Sequence, residues 1–116
     1  MRIIRMMGLA GILFACASTS PPPTEKMQAS TGAIRAAEEV GAPKVPQAAL
    51  HLQLAKEQTE HAKLLIAKGE QPAADGMLMR AQADAELAVA LSREETSRTE
   101  AEQAVEQVRQ LRQSNP

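Results

Sequence analysis

Residues 72–113 read PAADGMLMRAQADAELAVALSREETSRTEAEQAVEQVRQLRQ, and this stretch decides the fold. After Gly76 it contains no glycine or proline until Pro116. Ala, Leu, Glu, Gln and Arg dominate it, and these are the residues that lose least on entering a helix. The spacing predicts one helix from Pro72 to about Gln113, roughly 60 Å long at 1.5 Å per residue. Its front half carries Ala74, Leu78, Ala81, Ala85 and Ala88 at alternating steps of four and three, flanked by Met77, Leu87 and Leu91. That alternation is the seam of a left-handed helix pair. From Ser92 to Glu100 the chain is almost wholly polar. Apolar spacing resumes at Ala101, Ala104, Val105, Val108 and Leu111.

The residues just upstream supply a partner. Gly69-Glu70-Gln71-Pro72 reads as a compact turn. Before it, residues 46–68 form a second predicted helix that opens on Pro46, where a missing N–H costs nothing. Ala48, Leu52, Ala55, Thr59, Ala62 and Ile66 give it the matching four-three stripe. Two helices joined by so short a turn make an antiparallel hairpin. Many seam positions are alanine, which buries little area, so close backbone approach must supply the contact energy. Thr59 and Ser92 are tolerable in the seam because a hydroxyl can bond the carbonyl four residues earlier.

A further helical segment is expected from about Glu25 to Val40, weak at Ser30-Thr31-Gly32 and stopped by Gly41, Pro43 and Pro46. The second helix covers only about its own length of the third, to near Arg93. The third therefore overshoots, and its last stretch must meet the first segment, another copy, a foreign partner or nothing. The fold class is all-α: an antiparallel, coiled-coil-like hairpin with a long C-terminal helix and a short N-terminal helical segment. One domain, 25–113, accounts for it.

The N-terminal residues give an address. Met1-Arg2-Ile3-Ile4-Arg5 is a short basic start, and Met6–Ala15 is an apolar run of about half the length a spanning helix needs. This is the layout of a secretory signal, residues 1–15. It closes on Leu13-Phe14-Ala15-Cys16, which resembles the lipobox of bacterial lipoproteins. The resemblance implies cleavage between Ala15 and Cys16 and acylation of Cys16, the sole cysteine. Ala17 at the next position implies sorting to the outer membrane, with the protein on its periplasmic face. Residues 16–24 then form a lipidated, proline-rich tether.

Residues 33–104 are similar to the DUF4398 family of bacterial envelope lipoproteins, an uncharacterised helical domain. The resemblance rests on Ile34-Arg35-Ala36-Ala37-Glu38-Glu39-Val40-Gly41-Ala42-Pro43 and on Ala48-Ala49-Leu50-His51-Leu52-Gln53-Leu54-Ala55-Lys56-Glu57. The Gly69 turn and Ala81-Gln82-Ala83-Asp84-Ala85-Glu86-Leu87-Ala88 complete it. Gln71-Pro72 departs from the Asp or Tyr that commonly follows the family's glycine. The family implies no activity and no catalytic residues.

Composition narrows the function classes. Loss of Arg2 and Arg5 with the signal takes the formal charge from −1 to about −3, too mild to point to nucleic acid. The chain has no Trp or Tyr, and its one Phe, Phe14, lies in the signal. His51 and His61 stand nearly three turns apart and cannot share a metal ion. Glu57 and His61 are helix neighbours, but Gln58 stands where a Glu-x-x-His site wants its carboxylate. Ser92 and Ser97 have no histidine nearby in sequence, and no phosphate-binding glycine loop is present. Met77 and Met79 read as core filling or as an adaptable patch at the hairpin tip. Arg80–Asp84, Lys56–Glu60, Glu94–Arg98 and Arg98–Glu102 read as local ion pairs on a solvated face.

The expectation is a non-enzymatic interaction or spacer module without cofactor, metal or small-molecule substrate. It is held to the membrane through Cys16 and meets another envelope protein through Ala101, Ala104, Val105, Val108 and Leu111. The alternative is a self-assembling structural lipoprotein that oligomerises through the same stripe.

Overall fold

The computed structural model describes residues 23–115. The expected signal, the cleavage site Ala15-Cys16 and most of the tether lie outside the described residues. Three helices account for nearly all the rest: α1 (Pro23–Glu39), α2 (Pro46–Ala67) and α3 (Gln71–Ser114). The hairpin of α2 and α3 is present, with each boundary within a residue or so of expectation. A single 3-10 turn, Ala42–Lys44, links α1 to α2.

Two glycines turn the chain. Gly41 and Gly69 have φ of 85° and 78°, a left-handed conformation that costs a side-chain-bearing residue more. At the end of α2 the Glu70 amide donates to the Leu65 carbonyl and the Gly69 amide to the Ile66 carbonyl, both at 2.9 Å. This crossed pair is a Schellman motif, and it satisfies carbonyls that the helix end would leave bare.

α1 joins the hairpin along the same stretch of α3 that α2 covers. Met27 packs near the hairpin turn, on a cluster of Ala62, Leu65, Ala74 and Leu78. Ala37, at the other end of α1, packs with Ala42, Ala48, Leu52 and Ala88. Lys26 pairs with Asp75 and Glu38 with Lys56. α1 therefore runs parallel to α3 and antiparallel to α2, giving a three-helix bundle.

The seam is mostly alanine, as the stripe predicts. Ala48, Ala55, Ala62, Ala74, Ala81, Ala85 and Ala88 are fully buried, and Leu78 is the largest side chain to be so. Thr59 and Ser92 bond back to the carbonyls of Ala55 and Ala88, each at 2.9 Å. One position is corrected: Leu65, not Ile66, takes the last buried place of α2, and Ile66 packs beside the cluster only partly covered. The expected weakness in α1 is also corrected. Ser30 is fully buried, its hydroxyl bonds the Met27 carbonyl, and the helix runs on without a break.

Gly32 and Gly76 lie inside helices, and a Cβ added at either would meet nothing within 4 Å. Gly32→Ala and Gly76→Ala are each expected to stabilise the bundle by about 0.5–1 kcal/mol, through lower unfolded-chain entropy. The urea midpoint should rise with an unchanged slope; a fall would show that these sites hide a close contact.

Candidate functional face

The expected partner-facing stripe lies on bare helix. α3 continues past the bundle, and every residue from Thr96 to Asn115 is exposed. That is about 30 Å of single helix. Val105 is 70%, Val108 48% and Leu111 64% exposed, and Ala101 and Ala104 are open beside them. No described residue packs on them, so α1 does not cover the overshoot.

Local bonds hold this segment helical. Arg98 pairs with Glu95 at 2.8 Å and reaches Glu102 at 3.9 Å; Arg109 pairs with Glu106 at 3.4 Å. Thr96 and Thr99 bond the carbonyls of Ser92 and Glu95. Exposed pairs of this kind each contribute a few tenths of a kcal/mol.

Direction around α3 matters as much as exposure. At 100° per residue, the bundle seam (Ala74, Leu78, Ala81, Ala85, Ala88, Ser92) and the distal stripe point about 155° apart. The stripe thus points away from the seam, and its Leu111 edge continues the line of Asp75, which Lys26 of α1 reaches. Met79 and Leu87, 61% and 42% exposed, fall on that same side within the bundle. Apolar residues thus recur along this open side of α3, interrupted by Glu86, Arg93, Glu94 and Ser97, and α1 borders it beside Met79 and Ala90. Sequence reasoning took Met77 and Met79 together; Met77 packs on the Ala62–Leu78 cluster, and only Met79 belongs to the open side. Their helical angles carried that signal.

The titratable residues are mostly structural. Asp84 does not pair with Arg80, nor Lys56 with Glu60. Asp84 instead takes His51 Nδ1 on Oδ1 and Gln58 Nε2 on Oδ2, both at 2.8 Å, stitching α2 to α3. Lys56 reaches across to Glu38 on α1, and Arg98 pairs with Glu95 rather than Glu94. For Asp84 and Lys56 the cross-helix partner outcompetes the local one because the bundle partly shields it from water. Among the described residues no three His, Cys, Asp or Glu side chains gather as metal ligands. The hollows on the surface are open and shallow; one lies on the lone helix itself, beside Val105 and Val108. No described helix is long and apolar enough to cross a membrane.

No family model, curated protein or solved structure matches the chain.

Proposed function

We propose that the protein is a lipid-anchored helical lipoprotein of the outer membrane's periplasmic face. It works without catalysis, as a spacer and interaction module. The observation that carries the reading is the distal half of α3, a lone helix that keeps an apolar stripe with nothing packed on it. Isolated helices of about 12–15 residues are marginal in water, and scattered exposed apolar residues need no explanation. Five apolar residues on one side of a lone helix fit a docking surface instead.

Anchoring is supported by Leu13-Phe14-Ala15-Cys16 after a short apolar run. Two or more acyl chains hold a protein stably where one is marginal. The helical order suits this arrangement. α1 starts beside the first turns of α3, so a chain tethered ahead of α1 carries its distal stripe away from the anchor.

Cys16→Ala is the test. The variant should lose acylation, leave the membrane fraction and keep its helical circular dichroism. A variant that still sediments with membranes would defeat the anchoring claim.

A further inference from the structure

We propose that the distal stripe of α3 is covered by a second copy of this chain, in antiparallel orientation. This rests on the reading of that stripe as the working surface, and it names the occupant. Ala101, Ala104, Val108 and Leu111 occupy the a and d positions of two consecutive heptads. Reversing one copy about Glu106 sets Ala101 against Leu111 and Ala104 against Val108. Every layer then joins a small residue to a large one, so the helices approach closely without voids. A parallel copy in register would set alanine on alanine and leucine on leucine.

Charge favours the same choice. Between Glu94 and Glu106 acidic residues predominate, whereas Arg109 and Arg112 make the last turns basic. Reversal brings Glu102 of each copy to the level and flank of Arg109 and Arg112 of the other. A parallel copy in register would leave Arg109 and Arg112 seven and ten residues along from Glu102, out of its reach. The bundle does not obstruct a partner, because reversal about Glu106 sets Asn115 of one copy level with Ser97 of the other, so the paired stretch stays within the exposed part of each α3. Two bundles then sit at opposite ends of one rod. Four layers make a small interface, below the roughly 1,200 Å² of stable complexes, so the pair is weak in dilute solution. Confinement on a membrane raises the effective concentration and favours it.

Cysteine crosslinking in cells producing two differently tagged copies tests this. One copy carries Ala101→Cys and the other Leu111→Cys, both at exposed sites that leave the bundle untouched. Together they should form a mixed disulfide under oxidant. Each alone should not, because in the reversed pair like positions are about 15 Å apart, beyond disulfide reach. Thr99→Cys with Gln113→Cys, on the far side of the helix, should yield about tenfold less, since their Cβ atoms point apart. Adding Val108→Asp to both copies should cut the mixed disulfide about tenfold by placing a charge in the seam. Self-linking of each single variant would mean a parallel pair, and absence of any dimer would mean the stripe is left to another protein. Either result overturns the proposal without touching the anchoring claim. A dimer of the unmodified chain linked through Cys16 would instead count against acylation.

Discussion

Leu78→Asp should unfold the bundle at room temperature. Leu78 is 1% exposed and packs among Ala62, Leu65 and Ala74 at the hairpin end of the seam. Truncating such a residue to alanine typically costs about 2–5 kcal/mol. Aspartate adds the cost of placing a carboxylate where the surroundings are alkyl groups. A domain of this size has about 5–10 kcal/mol of stability to lose, and this one has no aromatic ring in its described core. The far-ultraviolet circular dichroism melt should lose its cooperative transition. Val108→Asp, the same change at an exposed site on the same helix, should leave the transition within a few degrees of the parent. Equal melts for parent and Leu78→Asp would mean that the seam does not hold the bundle together.

Enlarging an alanine should do nearly as much damage. Ala85 is fully buried, as are Ala81 and Ala88 beside it on the seam face. Helices that meet through alanine approach closely, which leaves no room for three more carbons. Ala85→Leu should cost about 1–3 kcal/mol through forced rotamers and backbone displacement. For a domain of about 90 residues that lowers the thermal midpoint by roughly 5–20 °C. Ala83→Leu, two residues earlier on the open side, should change it by no more than a few degrees, since exposed substitutions rarely exceed about 0.5 kcal/mol. A neutral Ala85→Leu would place slack in the seam and undercut the close-approach account.

These two expectations rest on positions that the sequence already displayed. The four-three stripes of α2 and α3 name eleven residues, and ten of them are buried. Alternation at helical spacing is a direct record of which side is covered. It carries no record of how a helix ends, so the exchange of Ile66 for Leu65 beside the Gly69 turn was not legible. Nor was the path of α1. Its apolar residues announce a covered side, but Ile34 and Ala37 do not say which helix covers them. The polar contacts were least legible. A sequence shows Arg80 four residues from Asp84, and it cannot show His51 and Gln58 arriving from another helix. The open side of α3 is a different case. The positions of Met79, Leu87, Val105, Val108 and Leu111 contain the angle, and reading the distal stripe separately from the bundle concealed it.

The parallel course of α1 and α3 has a mechanical consequence. Suppose the chain is held ahead of Pro23 and something pulls on the distal end of α3. The pull then travels down α3, through the side chains between the helices, and out along α1. The two helices are dragged lengthwise past each other. Ser30, Ala37, Ala81, Ala88 and the Lys26–Asp75 link share that load together. Had α1 run the other way, the same pull would peel the contacts apart one at a time. A thin alanine-lined rod loaded in shear resists tension better than its small buried area would suggest.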